Sequence, residues 1–301
     1  MKNYKTIKVA YFLVLSMLCL FFPITKLYSS WDNSLLSFLN SIETEKLKNH
    51  PLINFWYGES KADNSLIVPE KNGNNFFSPM FDMGVEYGFT RYKYDHSLNK
   101  LYLIDGETAF LENVSSHLKP KSLGYSGYTI DGWKFGFSMF DGIGNETNLI
   151  NMEFSNKSTF SWNRFDFEQY PQDSVLLYKF KPYDIQYKFG CDYSTSLTLP
   201  LLSFFHIELN QENSLIYPNF DFSRWLPSFL IENIINRWSD PFDGYFFEEL
   251  GKNYYIYKFI YKTLLSYIIY EIKKEQSFAP FSSEEPFSFR SIKLKLVFIA
   301  E

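Results

Sequence analysis

Histidines are the quickest guide to acid-base or metal chemistry, and His50, His96, His117 and His206 stand far apart in this chain. No HExxH pair and no paired-cysteine motif accompanies them, so no zinc site is spelled out. One local set has the residue types of an acyl-transfer triad: Ser203, His206 and Glu208. On an extended strand Ser203 and His206 point to opposite faces, whereas His206 and Glu208 share one. That spacing reads as a polar-face histidine beside a glutamate, not a base poised over a serine nucleophile. Carboxylate pairs at Asp82 and Glu86, Asp184 and Asp192, and Glu248 and Glu249 could hydrolyse a glycoside only if two of them faced one substrate. Nothing in the sequence makes them converge. The stretch Asp141-Gly142-Ile143-Gly144-Asn145 reads as a turn, not a phosphate-binding loop. No catalytic, cofactor-binding or metal-ligating residue is therefore assigned, no cofactor is expected, and a non-enzyme is preferred over an enzyme.

The carboxylates belong instead to runs of period two. Phe81, Met83, Val85, Tyr87 and Phe89 alternate with Asp82, Gly84, Glu86, Gly88 and Thr90, the pattern of a strand with one apolar and one polar face. Trp133, Phe135, Phe137 and Met139 repeat it against Lys134, Gly136 and Ser138, and a further strand is expected through Ile150, Met152 and Phe154. The longest run sets Tyr183, Ile185, Tyr187, Phe189, Cys191 and Tyr193 against Asp184, Gln186, Lys188, Gly190 and Asp192, up to an interruption at Pro200. Shorter strands are expected at 175–180 and 205–209, and a hairpin at 101–111 turning on Asp105-Gly106. The last strand alternates Ile292, Leu294, Leu296 and Phe298 with Lys293 and Lys295. Charges on the polar face, Asp82, Glu86, Asp184, Lys188 and Asp192, are expected to form an ionic network, because a buried charge needs a partner. Lys134 reads as a lumen residue whose change to Gln leaves assembly nearly intact.

The region 222–275 departs from period two. Leu226, Phe229, Leu230, Ile234 and Trp238 follow helical spacing, and Pro227 suits a first helical turn. A short helix is expected to end near Leu250-Gly251. Positions 255–273 form a third helix, and Lys258 and Lys262 favour one that packs on the β-domain or lies at an interface over one that spans a bilayer.

At the N-terminus Lys2, Lys5 and Lys8 precede an apolar stretch, 9–22, that ends at Pro23. This is the pattern of a signal peptide, with cleavage expected after Ser29; an uncleaved anchor is the alternative. Residues 30–50 read as a helical segment with apolar positions Leu35, Leu36, Phe38, Leu39 and Ile42, and 51–301 as a single β-domain holding the helical insertion. The leader carries four lysines and no acid, so removing it takes the formal charge from −5 to −9, which disfavours nucleic-acid partners. Cys19 leaves with the leader, and Cys191 alone forms no intrachain disulfide.

Aromatic residues make up 21% of the chain, with 33 Phe and 23 Tyr, yet mean hydropathy is only −0.22. Many rings on a chain of moderate polarity suit a barrel that alternates apolar and polar faces. The preferred reading is a mostly β, monomeric transmembrane antiparallel barrel of about 8–10 strands, exported to an outer membrane or cell envelope, in contact with lipid and serving a structural or transport role. Photolabelling from the lipid is then expected at Phe81, Met83, Phe135 and Phe137. A soluble exported β-sandwich or lipocalin-like barrel binding lipid or carbohydrate, periplasmic or secreted, is the first alternative. A membrane-associated hydrolase using the helical insertion as an anchor is the second.

Overall fold

The computed structural model describes residues 49–62, 77–94, 101–118, 128–145, 151–168, 178, 180–237 and 253–300. The leader, the helix ending near Gly251 and most of the strand expected at 175–180 lie outside them. So does the 30–50 segment apart from its last two residues, and His50 already opens a strand. Eight strands are present: β1 (His50–Ala62), β2 (Met80–Tyr94), β3 (Leu101–Ser115), β4 (Ile130–Asn145), β5 (Met152–Phe167), β6 (Lys188–Leu202), β7 (Phe205–Ile216) and β8 (Phe287–Ile299). Helices α1 (Phe222–Arg237) and α2 (Asn253–Glu275) fall between β7 and β8.

Each strand pairs antiparallel with the next, and β8 pairs with β1, closing the sheet into a barrel. Paired residues followed once round, from His50 through Thr90, Gly106, Phe140, Lys157, Ser194, Glu212 and Ser291, return to β1 at Ser60, a stagger of ten residues. Eight strands with such a stagger tilt by about 40° and leave an interior that side chains alone can fill. The lower rim carries the start of β1, the end of β8 and the two-residue turn from β6 to β7; the upper rim carries the helical insertion.

The alternation read from the sequence holds, and it runs apolar side out. Met83, Val85, Tyr87, Phe89, Phe135, Phe137 and Met139 are exposed, as are Ile292, Leu294, Leu296 and Phe298, while Asp82, Glu86, Thr90, Lys134 and Ser138 are buried within the barrel. Two departures have clear causes. Asp105-Gly106 is not a turn, because β3 runs straight through it. A Cβ at Gly106 would stand 2.3 Å from the Phe89 carbonyl oxygen and 2.4 Å from the Phe140 ring, so the glycine serves close packing inside the barrel. Strand β6 begins only at Lys188, because Ile185 takes a left-handed backbone (φ 56°) and Tyr183 turns into an aromatic cluster at the upper rim. A β-branched residue in that region is strained, and the break ends the predicted run 183–193 at its N-terminal side. Strand β1 gives a weaker period-two signal, because the large Trp56 falls on its inward face between Asn54 and Gly58.

Pro200 leaves a register shift between β6 and β7 without ending β6. Phe81, expected to face outward freely, is covered. The Tyr57 ring stacks on it at 5.5 Å, and the Tyr57 hydroxyl donates to the Leu118 carbonyl (2.9 Å) in a short 3-10 turn.

Candidate functional site

Among the described residues the lumen holds the densest set of ionisable groups, layered between two apolar caps. Alternation delivers them: every second residue of a barrel strand points inward. Toward the upper rim, Lys134 of β4 lies 2.9 Å from Asp192, 2.6 Å from Glu212 and 3.8 Å from Glu112. Lys293 of β8 completes the group, 2.7 Å from Glu112, 2.9 Å from Glu212 and 3.6 Å from Asp82. Below it, Glu86 of β2 pairs with Lys157 and accepts from Thr108 and from Asn54 (3.2 Å), and Lys295 bridges Glu86 (3.8 Å) and Glu208 (3.0 Å). Trp56 lies between the two clusters, with Lys293 and Lys295 each 5.7 Å from its ring.

The network therefore includes Asp82, Glu86 and Asp192, as expected, but not Asp184 or Lys188. Asp184 accepts from the Phe167 amide (3.3 Å), and Lys188 donates to the Pro218 carbonyl (2.7 Å). Both sit at the rim because β6 starts late. Glu112 and Glu212 were missed, although each shares the inward parity of its strand (Thr108 and Glu112; Asn210, Glu212 and Ser214). Lys134 is no freely hydrated lumen residue; its side chain is 5% exposed and ringed by three carboxylates, so the expectation that Gln could replace it does not stand.

Both ends of this ionic layer are sealed. At the upper rim Phe287 sits amid Phe77, Phe165, Phe180, Tyr183 and Phe289, with ring centroids 4.5–6.0 Å away. At the lower rim Leu52, Val297 and Ile299 pack with Tyr92 and Phe140. Nearby, the Tyr102 hydroxyl donates to Glu153 (2.8 Å), and His206 Nδ1 lies 3.9 Å from the same carboxylate. His206 is buried in the lumen, Glu208 is engaged by Lys295, and Ser203 lies in the β6–β7 turn. The three thus form no triad. The Asp184 and Asp192 pair is divided between rim and lumen, and Glu248 and Glu249 lie outside the described residues. Among the described residues no group of three His, Cys, Asp or Glu side chains could hold a metal ion.

Outside the barrel, α1 and α2 pack over β5, β6 and β7. Leu265, Ile269 and Tyr270 of α2 meet Cys191, Tyr193 and Leu215, with Trp225 of α1 against them. A cleft of about 450 Å³ lies at this junction, lined in part by Arg91, Asp105, Glu107, Asp141, Lys262 and Phe229. Two ion pairs close within its lining: Arg91 holds Asp105 at 2.5 Å and Lys262 holds Asp141 at 2.7 Å.

At the upper rim a smaller lock joins two connections. Glu168 accepts from Thr129 Oγ1 (2.7 Å) and pairs with His117 Nε2 (2.7 Å). These two contacts, Thr129 first, hold the Glu168 carboxyl below its ordinary value.

No family model matches the chain, and no curated protein matches it in sequence. Among solved structures it is similar to Neisserial surface protein A, at 8% identity over 82% of this chain and 96% of that one, with a TM-score of 0.37. It is also similar to Ail, the attachment invasion locus protein of Yersinia pestis, at 10% identity over 84% and 99% of the two chains and a TM-score of 0.31. A third likeness is to the beta domain of the Bordetella autotransporter BrkA, at 8% identity over 56% and 58%, with a TM-score of 0.29. Likenesses this distant carry no functional residue from those proteins to this one.

Proposed function

We propose that the protein is an exported outer-membrane barrel that does not conduct, a lipid-embedded anchor for the connections at its upper rim. The observation that carries this reading is the inverted distribution of polarity. A water-soluble barrel buries its aromatic residues and exposes its charges; here Phe137 is 61% exposed and Lys293 is 1% exposed. Outward apolar positions with polar inward ones are what hydrocarbon on one side and a narrow lumen on the other select. Closure matters equally, since an open sheet edge in lipid would leave backbone groups unsatisfied. The strands, 12–16 residues long, exceed the roughly 9–11 that a tilted strand needs to cross a bilayer.

Of the structural and transport roles that composition leaves open, the sealed lumen favours the structural one. A water-filled channel would wet its ionic lining, whereas Asp82, Glu86, Glu112 and Lys293 are all at most 2% exposed. Export through a leader cleaved after Ser29, and a single β-domain over 51–301, complete the reading; membrane lipid is the partner it names. Heat-modifiable gel mobility in the membrane fraction, combined with silence in planar bilayers, is the expected result. Recovery in the soluble fraction contradicts the membrane assignment, and steady ion currents contradict the sealed lumen.

A further inference from the structure

The outward apolar belt is interrupted on the wall formed by β4, β5 and β6. On β4, β5 and β6 the outward positions Asp141, Asn156 and Thr195 are polar, and all three meet one another or α2. Lys262 pairs with Asp141, and Thr263 Oγ1 donates to Asn156 Oδ1 at 3.0 Å, an oxygen that also accepts from Thr195 (3.1 Å). Further along, Lys273 donates to the Tyr193 hydroxyl (3.3 Å) and pairs with Glu232 of α1. The polar groups of α2 are thus turned onto the barrel wall where that wall is itself polar.

The opposite face of α2 carries Ile256, Ile260, Leu264 and Tyr267, all at least 42% exposed, at the spacing of one helical stripe. α1 repeats the arrangement with Phe222, Leu226 and Leu230. The contacts of α2 also run the height of the barrel. Phe259 meets Phe154 near the lower end of β5, with ring centroids 5.3 Å apart, and Glu271 meets Arg290 near the upper end of β8 at 2.5 Å. Its 23 residues amount to about 34 Å, against roughly 30 Å of bilayer hydrocarbon.

From this placement we infer that α1 and α2 form an intramembrane helical pair whose outer stripes face lipid acyl chains, continuing the apolar belt over the polar wall of β4, β5 and β6. The inference rests on the membrane reading above and deepens it. No described helix is long and apolar enough to cross a membrane alone. Of the four lysines of α2, Lys262 and Lys273 are neutralised by Asp141 and Glu232, and Lys274 lies 3.9 Å from Glu271, so α2 presents to lipid a surface more apolar than its composition. Acyl chains are preferred to a second protein as the occupant because the stripes join the exposed strand residues in kind and α2 reaches from the lower end of β5 to the upper end of β8.

Spin labels at Ile260→Cys and Leu264→Cys test this, with Phe137→Cys as the strand control and Cys191 replaced, in phosphatidylethanolamine and phosphatidylglycerol vesicles. All three labels are expected to collide with oxygen and to be shielded from a water-soluble nickel chelate. Helix labels open to nickel beside a shielded Phe137 label would overturn the inference and leave the membrane barrel standing. Nickel access at Phe137 as well would remove both. Helix labels shielded from both agents would mean that a second protein, not lipid, covers the stripe, and would equally overturn it. Since a label could disturb packing, Ile256→Cys, one turn from Ile260, provides an independent position with the same expectation.

Discussion

Lys293 of β8 lies 2.7 Å from Glu112 of β3, a pairing across the lumen between strands that share no backbone hydrogen bond. With Glu212 at 2.9 Å and Asp82 at 3.6 Å, this ammonium ties together β2, β3, β7 and β8. Replacing it with Met leaves the buried Asp82 without its cation and Glu112 and Glu212 with Lys134 alone. The expected cost is about 3–5 kcal/mol, read as a lower urea midpoint for the refolded protein in bilayers. Lys134→Gln should also destabilise clearly, whereas removing the exposed Arg224–Asp221 pair by Arg224→Gln should leave the midpoint nearly unchanged. Equal midpoints for all three variants would show that the lumen is hydrated and the pairs are loose.

Gly84 lies beneath the Trp56 indole, where a Cβ would come within 2.3 Å of the ring. Gly84→Val should therefore displace Trp56 from between Lys293 and Lys295 and cost about 1–3 kcal/mol, with a shift in tryptophan emission. Unchanged emission and stability would mean that the indole is not lodged there.

The Glu168 lock gives a pH signature at the upper rim. Its folded value lies below the ordinary one, so the contact with Thr129 and His117 contributes fully above about pH 4.5 and is lost as pH falls through the depressed value. Carboxyl NMR should give Glu168 a midpoint lower than that of glutamate in the unfolded chain. Thr129→Val should raise that midpoint. A midpoint unmoved by this change would assign the depression to something other than the hydroxyl contact.

On the belt, Phe135→Arg should impair insertion by about 2–4 kcal/mol if the site lies near the bilayer midplane. Phe81→Arg is a contrasting case, because Tyr57 covers Phe81 and the arginine would enter a protein contact. Comparable folding yields in lipid for wild type and Phe135→Arg would contradict lipid exposure at that position.

Most of the barrel was legible because period two is a direct consequence of strand geometry: the runs through Val85, Phe135 and Leu294 identify strand, face and parity together. A closed barrel was expected as a class, but which strands pair to close it has no local signal, and β1 hides its parity behind the large inward Trp56. The Asp105-Gly106 pair misled because glycine serves both turns and close approaches, and only the neighbouring Phe140 distinguishes them. Part of the ionic network was visible as charges on one face. The placing of Asp184 and Lys188 at the rim was not, because a left-handed residue at Ile185 decides where β6 begins. The helices were readable as helices; that Lys262 meets Asp141 on the outer wall is a long-range fact with no local signal.

The most direct test of the membrane-barrel account is photolabelling of the protein in native membranes by a lipid-soluble carbene reagent, with modified positions mapped by mass spectrometry. Labelling is predicted at Tyr87, Phe137 and Leu294, which face outward, and not at Asn163 and Asn210 of the lumen or at the covered Phe81. Equal labelling of outward and inward residues, or none with the protein recovered in the aqueous fraction, would contradict it.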